Sequence, residues 1–381
     1  MARVLLAMSG GVDSSTAAHL LLQDGHEVIG AFMRHGEQAV EVCSVDGTVE
    51  SSPLLPIFQQ RKDHKQGCCS ASDAEDARKV ADRLDIPFYA LNLEEEFRDI
   101  IDYFVDEYSH GRTPNPCVMC NNHLKFGKLF EYADSIDAQY VATGHYARLQ
   151  PNPNDPDGEP ELRTGVDQGK DQSYVLFGVQ RSYLKRMLLP VGGFEKPEIR
   201  EIAGSLGLRV ADKKDSQEIC FVTSGKHAEF VRQRRGDLSK AGKIVTTEGS
   251  VLTDHPGIEG FTIGQRKGMG LGGLKEPYFV VEIRPETNEV VVGTKDQLGK
   301  SELFANRLNW LVAPDDEPFR CLAQIRYNSR ATPATATIES NGQLKVVFDQ
   351  PVNGIAPGQA VVCYQEDPIL GNRVLGGGWI L

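Results

Sequence analysis

The stretch Ser9-Gly10-Gly11-Val12-Asp13-Ser14-Ser15 decides the fold, because it joins an apolar run to a helical pattern. Val4 to Met8 is apolar throughout, which predicts a buried strand, and Ser14 to Gln23 has the periodicity of a helix. Glycines let a backbone approach an anion closely, and a helix N-terminus directs unpaired N–H groups and a positive dipole towards it. A glycine turn with a serine cap is the plainer alternative, but the strand-to-helix context favours a phosphate site.

This loop differs from the Walker loop, since it lacks a Gly-Lys-Ser/Thr ending. It resembles the SGGxDS loop of enzymes that split ATP into AMP and pyrophosphate, so we expect ATP to bind here. Asp13 is the expected Mg²⁺ ligand on mechanistic grounds. A second glycine run, Gly268 to Gly273, satisfies GxGxxG formally, but no helix is predicted after it, so it does not indicate a dinucleotide site.

Around the loop, the first two hundred residues alternate short apolar runs with helical patterns, which predicts βαβ units and a parallel sheet. The predicted strands are Val4 to Met8, Val28 to Met33, Phe88 to Leu93 and Tyr140 to Thr143. The predicted helices are Ser14 to Gln23, Ala71 to Leu84, Glu95 to Tyr108, Phe126 to Ala133, Arg181 to Met187 and Lys196 to Leu206. Two proline-containing stretches, Arg34 to Gly67 and Pro151 to Pro160, are predicted surface insertions.

From Gly242 onward the pattern changes to short β-branched runs separated by glycine, which predicts small, barrel-like β domains. The predicted strands there are Ile244 to Thr247, Gly260 to Ile263, Tyr278 to Ile283, Val290 to Val292, Cys321 to Tyr327, Ala334 to Glu339, Leu344 to Phe348 and Ala360 to Tyr364. We therefore predict an α/β fold with three domains: a catalytic domain over 1–211, a central β domain over 212–284 and a C-terminal β-barrel over 285–381.

The composition agrees with a multidomain globular chain. At 381 residues, with 40% hydrophobic and 25% charged residues, the chain is too long for one ordinary core. No apolar run approaches the ~18 residues of a membrane helix, and the N-terminus lacks a signal peptide's pattern. We expect a cytoplasmic protein without a membrane partner, in which the eight cysteines are reduced.

The net charge of −12 at first argues against a nucleic-acid partner. Almost all of the excess acid lies in residues 1–122, which hold 10 basic and 20 acidic residues; residues 123–238 hold 17 of each, and residues 239–381 hold 14 basic and 16 acidic residues. A tRNA-sized ligand could therefore lie on the middle and C-terminal parts. Clusters such as Arg232, Arg234, Arg235 and Arg266, Lys267 would serve it.

The cysteines include one closely spaced pair, Cys117 and Cys120, in a stretch with Pro114 and Pro116 that we interpret as a stiff loop between helices. A zinc half-site is weakened because no second CxxC or HxxxH follows. Cys220, beside Ile219 and Phe221, has no distinguishing pattern of its own. Cys68 and Cys69 could be a sulfur site, whereas Cys43, Cys321 and Cys363 are interpreted as packing residues.

Several motifs together resemble the tRNA-specific 2-thiouridylases over essentially the whole chain. They are SGGVDS (9–14), GRTPNP (111–116), Cys120-Asn121, Lys125-Phe126, Thr143-Gly144-His145-Tyr146, Lys170-Asp171-Gln172-Ser173-Tyr174, Cys220-Phe221, GQRKG (264–268), Arg326-Tyr327 and Pro357-Gly358-Gln359. The resemblance implies an adenine-nucleotide hydrolase-like first domain. It also implies ATP-dependent 2-thiolation of the tRNA wobble uridine, in which AMP is transferred to the uracil O2 and sulfur then attacks C2.

The resemblance also assigns residues. Cys220 would carry a persulfide received from a cysteine desulfurase or sulfur-relay protein, and Cys120 would be the partner nucleophile, forming a transient disulfide with Cys220. The ATP-binding residues would be Ala7, Met8, Ser9, Gly10, Gly11, Val12, Asp13, Ser14, Met33 and Gly144. The target base would lie near Asn115, Pro116 and Cys117. The tRNA contacts would be His145, Lys170, Asp171, Gln172, Arg326, Tyr327 and Gln359.

Cys117 departs from the family pattern, because many members carry an aspartate with acid/base function at this position. A thiol of ordinary pKa performs that function poorly. Cys117, Cys120 and Cys220 could instead hold a [4Fe-4S] cluster with an open iron that binds hydrosulfide, as in related thiolation enzymes. The relay and the cluster give the same product, and the sequence leaves both open.

Two other function classes remain as rivals. A small-molecule adenylating enzyme, such as an argininosuccinate synthetase-like ligase or an amidotransferase, would need neither Cys120 nor Cys220 and no basic tRNA surface. A tRNA-binding or zinc-stabilised module with a vestigial loop would bind without releasing pyrophosphate.

Overall fold

The structure is a computed structural model that describes residues 1–34, 71–153, 155–213, 219–222, 227–235, 240–272, 276–314 and 318–381. Most of the predicted 34–67 insertion, together with Cys43, Cys68, Cys69 and Gly273, lies outside these ranges. Within them, no helix is long and apolar enough to cross a membrane.

The helices are α1 (Val12–Gln23), α2 (Ala71–Leu84), α3 (Glu94–Ser109), α4 (Pro116–Met119), α5 (Leu129–Ser135), α6 (Lys196–Ser205), α7 (His227–Arg235) and α8 (Lys295–Leu298). The strands are β1 (Arg3–Ala7), β2 (Glu27–Arg34), β3 (Phe88–Asn92), β4 (Tyr140–Ala142), β5 (Ala147–Gln150), β6 (Glu161–Thr164), β7 (Met187–Leu188), β8 (Gly242–Thr246), β9 (Val251–His255), β10 (Phe279–Arg284), β11 (Glu289–Gly293), β12 (Gly299–Trp310), β13 (Phe319–Gln324), β14 (Thr332–Ile338), β15 (Leu344–Asn353), β16 (Ala360–Gln365) and β17 (Arg373–Ile380).

The N-terminal region contains a parallel sheet with strand order β3-β2-β1-β4-β7, as predicted from the alternating pattern. Both faces of β1 are buried: Val4 and Leu6 join one core cluster, and Leu5 and Ala7 join another. Successive strand residues point to opposite faces, so a strand covered on both sides is apolar at every position. This explains the uninterrupted run that precedes the glycine loop.

The central region forms a four-stranded sheet with order β10-β11-β8-β9 over its own core cluster. The β10–β11 hairpin spans Phe279 to Gly293, so the predicted boundary between residues 284 and 285 lies inside it. The domain boundaries otherwise stay predictions.

The C-terminal region is a closed barrel with strand order β12-β15-β14-β13-β16-β17, which β12 closes by pairing with β17. The fold prediction of a parallel-sheet domain, a central β domain and a C-terminal barrel is therefore confirmed. The hairpin of β5 and β6 extends the barrel sheet beyond β17, and the predicted insertion Pro151 to Pro160 is the connection within this hairpin. Buried Arg163 fastens the hairpin, since it pairs with Glu161 at 2.6 Å and with Asp367 at 2.8 Å.

Some local predictions were wrong. Gly260 to Ile263 is not a strand; a 3₁₀ turn over Ile258–Gly260 precedes an irregular segment. The predicted helix from Phe126 starts at Leu129, after a π-helical stretch over Cys120–Lys128 that kinks at Phe126.

Candidate active site

The segment Ser9 to Ser15, called the phosphate loop below, leaves the carboxyl end of β1 and leads into α1, as predicted. The Ser9 N–H donates to the Ser14 hydroxyl at 3.2 Å, and the Ser15 hydroxyl donates to the Gly11 carbonyl at 2.8 Å. Gly11 is the N-cap of α1, with extended dihedral angles. No side chain caps the first turn of α1, and the N–H groups at a helix N-terminus are the usual donors to a bound anion.

Two glycines allow the close packing of this loop. Gly10 has φ +70°, and a side chain there would overlap the carbonyl oxygen of Asp73 at the start of α2. Gly144 follows β4, and a Cβ at this position would lie 2.7 Å from the Ser14 backbone nitrogen. Gly144, a predicted ATP-binding residue, therefore lies directly against the phosphate loop. A larger residue at position 144 would displace the loop backbone at Ser14.

Asp13 forms an ion pair that the sequence did not predict. Its Oδ1 and Oδ2 accept from Lys196 Nζ at 2.8 and 2.9 Å, and Oδ1 also accepts from the Tyr146 hydroxyl at 2.7 Å. Lys196 is buried at the start of α6, and its ammonium lies 5.5 Å from the centre of the Tyr146 ring. This carboxylate thus holds an ammonium group in the structure, and Asp13 as a Mg²⁺ ligand stays a prediction.

A second lysine, half-buried, anchors the other side of the loop. Lys213 Nζ donates to the Gly10 carbonyl at 2.9 Å, to Asp73 Oδ1 at 2.6 Å and to Asp76 Oδ2 at 2.7 Å. Burial alone would lower the pKa of Lys213, but the hydrogen bonds to Asp73 and Asp76 outweigh it and raise this pKa. Lys213 therefore stays protonated and ties the loop to α2. Sequence reasoning missed both lysines, because each lies far along the chain from the loop it contacts.

The CxxC pair lies on a helix and not in a loop, which corrects the sequence interpretation. Asn115 caps α4: its side-chain oxygen accepts from the Val118 N–H at 3.3 Å, and Pro116 occupies the first helical turn. An asparagine N-cap followed by proline is a recognised helix-start signal. Cys117 is exposed on α4, whereas Cys120 is half-buried where the π-helical stretch begins.

Cys120 and Cys220 pack against the same apolar cluster. Its buried members are Leu93, Phe97, Ile100, Ile101 and Leu124. Met33, near the carboxyl end of β2, also contacts this cluster. The structure thus gathers one predicted ATP-binding residue and the two predicted sulfur-transfer thiols around one core.

An aromatic side chain fixes the Cys220 segment beside α3. The neighbouring Phe221 ring lies 5.9 Å from the Phe97 ring and 5.1 Å from the Phe104 ring, in edge-to-face contacts. Within the described residues, which include all three thiols at 117, 120 and 220, no three His, Cys, Asp or Glu side chains form a group that could hold a metal ion. Those thiols therefore do not form a ready ligand set for a [4Fe-4S] cluster here.

Most of the residues predicted to contact tRNA have partners within the protein. His145 is buried, with Nδ1 2.7 Å from the Thr143 hydroxyl and Nε2 3.4 Å from Lys125 Nζ. An ammonium only donates, so Nε2 accepts and the ring is neutral. Burial, with the Lys125 charge adding to it, lowers the pKa of His145 well below its ordinary value.

The segment with Asp171 and Gln172 is similarly tied into the fold. Asp171 accepts from the Gly165 N–H at 2.8 Å and from the Ser173 hydroxyl at 2.7 Å. Gln172 Oε1 accepts from the Tyr146 N–H at 3.0 Å, which connects this segment to the partner of Asp13. Lys170 is half-buried at the same turn. Their tRNA contacts stay predictions.

In the barrel, the predicted tRNA residues lie in two places. Arg326 donates from Nη2 to the carbonyls of Asn353 and Gly354, both at 2.9 Å, whereas the next residue, Tyr327, is 40% exposed. Gln359 lies at the loop that precedes α4, where its amide group donates to backbone carbonyls.

The comparisons with known proteins agree across the whole chain. The sequence profiles that match are described as a tRNA methyl transferase HUP domain over residues 2–224, a tRNA methyl transferase PRC-barrel domain over 228–294 and an aminomethyltransferase β-barrel domain over 300–380. A tRNA-specific 2-thiouridylase MnmA of Rhodopirellula baltica is 54% identical, with 100% of this chain and 96% of the relative covered. The chain belongs to the tRNA-specific 2-thiouridylase family.

Further 2-thiouridylases support this membership. The MnmA of Carboxydothermus hydrogenoformans is 46% identical over 99% of this chain and 97% of its own length. That of Clostridium perfringens is 42% identical over 98% of both chains. The family resemblance noted in the sequence, and the expectation of an enzyme of this transferase family, are confirmed.

Proposed function

We propose that this protein thiolates C2 of the wobble uridine in tRNA, at the expense of ATP. The observation that carries the proposal is that Met33, Cys120 and Cys220 pack against one apolar cluster. Met33 lies near the carboxyl end of β2, at the same edge of the sheet where the phosphate loop leaves β1. The carboxyl ends of parallel strands meet at one edge and form the usual ligand crevice of such folds. Activation by ATP and attack by sulfur would therefore occur at adjacent places.

The first step would be adenylation of the uracil O2. The first-turn N–H groups of α1 would bind phosphate oxygens, while Ser9 and Ser14 add hydroxyl donors. Lys196, held at the loop by Asp13, would provide a positive charge close to the triphosphate. Transfer of AMP to O2 releases pyrophosphate and turns a poor leaving group into a good one. Mg²⁺ would neutralise charge on the ATP phosphates, and its presence stays an expectation.

The second step would be sulfur transfer by a persulfide relay. A sulfur donor of the cysteine desulfurase or sulfur-relay class would load Cys220 as a persulfide. The Cys120 thiolate would attack the inner sulfur, forming a Cys120–Cys220 disulfide and releasing hydrosulfide. Hydrosulfide would add at C2 and displace AMP, leaving the C=S product. A thiol reductant would then reopen the disulfide for another turnover.

Binding of tRNA would use the middle and C-terminal parts of the chain, where acidic and basic residues balance. Arg266 and Lys267 are exposed on the turn after Ile263, and Tyr327 is exposed on the barrel. Gly264, in the same turn, lies against the Arg326 guanidinium. The turn with Arg266 and Lys267 therefore adjoins the barrel segment that holds Arg326 and Tyr327. Phosphate contacts of this kind dominate nucleic-acid affinity.

A [4Fe-4S] route is the second candidate for the same product. Cys117 favours it, because a thiol replaces the aspartate of many relatives and lies three positions before Cys120. The exposure of Cys117, in contrast to the half-buried Cys120 and Cys220 that pack against one apolar cluster, favours the relay. A small-molecule ligase is a more distant candidate, since it gives no role to either clustered thiol.

The test combines loop and thiol variants in one assay with purified tRNA, ATP and a persulfide donor. Ser14→Ala should abolish tRNA-dependent pyrophosphate release with little change in tRNA affinity. Cys120→Ala and Cys220→Ala should still release pyrophosphate but form no 2-thiouridine. Cys321→Ala, which removes a barrel thiol, is the matched control and should thiolate normally. Thiolation by both Cys120→Ala and Cys220→Ala would contradict the proposal.

A further inference from the structure

The loop Gly111–Pro114, which leads into α4, lies where the three regions of the protein meet. Gly111 has φ +68°, and a Cβ there would lie 2.7 Å from Ile283 and 3.1 Å from Pro285 of the central region. The Thr113 N–H donates to the Pro357 carbonyl of the barrel at 2.7 Å. The segment that carries Cys117 and Cys120 is thus held by residues far along the chain.

Gln359 makes the main side-chain contact from the barrel. Its Nε2 donates to the Pro114 carbonyl at 2.9 Å and to the Thr113 carbonyl at 3.2 Å. Gly358 fits beside the same loop: with φ +86°, a Cβ there would lie 2.7 Å from Glu107 Oε2 and 2.9 Å from the Thr113 oxygen. The barrel backbone therefore approaches the loop as closely as glycine permits.

The loop that Gln359 contacts leads directly into α4, which contains Cys117 and is followed by Cys120. Pro114, Asn115 and Pro116 are buried, and two of the three are prolines with restricted backbones. The Asn115 N–H donates to the Tyr103 hydroxyl at 3.2 Å, and the Tyr103 ring packs against Trp379 of β17 at 6.0 Å. A shift of the Thr113 and Pro114 carbonyls would therefore move the N-cap of α4.

We propose that Gln359 is a positioning residue, which sets the placement of Cys120 from the C-terminal barrel before tRNA binds. Both amide hydrogens of Gln359 have acceptors on the loop, which leaves its Oε1 for any other partner. The barrel then has a part in sulfur transfer besides tRNA recognition. This role rests on the proposed thiolation, but the placement itself can be measured without tRNA.

The experiment compares Gln359→Ala and Gln359→Glu with wild type and with Gln365→Ala. Gln359→Glu keeps the shape but loses the amide donors, and Gln365 is an exposed glutamine at the end of β16. The first readout is the rate at which iodoacetamide alkylates Cys120 in tRNA-free protein, followed by peptide mass spectrometry. The second is the single-turnover rate of thiolation at saturating tRNA, and the third is the tRNA dissociation constant.

Both Gln359 variants should change the alkylation rate of Cys120 several-fold, because the loop before α4 loses its hydrogen bonds to the barrel. They should also lower the thiolation rate about tenfold, which corresponds to about 1.4 kcal/mol in activation free energy. The tRNA dissociation constant should stay near that of wild type, and Gln365→Ala should match wild type throughout. An unchanged alkylation rate together with weaker tRNA binding would overturn the proposal, because it would make Gln359 a direct tRNA contact only.

Gly358→Ala provides a second variant if loss of Gln359 prevents folding. Its added methyl would push the loop away, so the Cys120 alkylation rate should change in the same way; an unchanged rate would overturn the proposal. If wild-type protein itself does not thiolate tRNA, the proposed function fails. The tRNA-free alkylation rates would still decide the positioning role.

Discussion

Replacing Lys213 with methionine should destabilise the N-terminal domain and loosen its phosphate loop. The Lys213 side chain is 14% exposed and the Asp73 side chain only 4%, so the variant leaves a carboxylate buried without its ammonium. Breaking a buried pair from one side costs about 3–5 kcal/mol. Asp76 adds little to this figure, because its side chain is 34% exposed.

A loss of that size should be visible in calorimetry. At roughly 2–4 °C per kcal/mol for a domain of about 200 residues, the corresponding transition should fall by about 6–20 °C. Because the folded-state pKa of Lys213 is raised, its stabilisation is fully present below the unfolded value of about 10.4 and disappears only as the pH rises further. The expected loss in the free energy of unfolding of Lys213→Met is therefore constant between about pH 6 and 9.

The neutral pair provides the decisive comparison. The double variant Lys213→Met with Asp73→Asn also removes the negative charge of Asp73, so it should be more stable than Lys213→Met alone. Lys185→Met, which removes an exposed lysine, is the matched control and should unfold like wild type. If Lys213→Met unfolds at the temperature of the control, or if Asp73→Asn gives no rescue, the buried ion pair does not anchor the loop.

Three further predictions concern the site. Gly144→Ala should raise the KM for ATP in pyrophosphate release, because its Cβ would lie 2.7 Å from the Ser14 nitrogen; an unchanged KM would contradict the close approach. The lowered pKa of His145 means that the unfolded chain binds more protons, so stability should fall as the pH drops below about 6.5, by at most about 1.4 kcal/mol per pH unit for this group. Denaturant titrations should show a shallower pH dependence for His145→Gln, and an identical slope would count against a neutral buried imidazole. Cys117→Asp should be active and iron-free if the relay operates, as iron analysis and a thiolation assay can determine; loss of both iron and activity would favour the cluster.

The sequence predicted the parallel sheet and the phosphate loop because their signals are local. The run from Val4 to Met8 is apolar at every position, and the glycines follow it directly. The barrel was predicted only in part, since β17 contains Gly376, Gly377 and Gly378, which lack the β-branched character of a typical strand. These glycines are required because β12 and β16 approach their backbone closely.

The site was predictable where motif residues are neighbours in sequence and not where contacts join distant parts. The loop and the CxxC pair could be found from spacing, and the Asn115-Pro116 helix start was legible but was interpreted as a loop. Lys196 and Lys213 contact the phosphate loop across more than 180 residues, and no periodicity encodes such pairings. Gln359 was assigned to tRNA by resemblance, and only the fold revealed its contact with Pro114.

The most direct test of the central claim is nucleoside mass spectrometry of tRNA incubated with ATP, a persulfide donor and the purified protein. We predict 2-thiouridine at the wobble position with wild type, formed together with one AMP per thiolated tRNA, and none with Cys220→Ala. Adenylation and pyrophosphate release without any 2-thiouridine from wild-type protein, under conditions in which Cys220 is shown to carry a persulfide, would contradict the account.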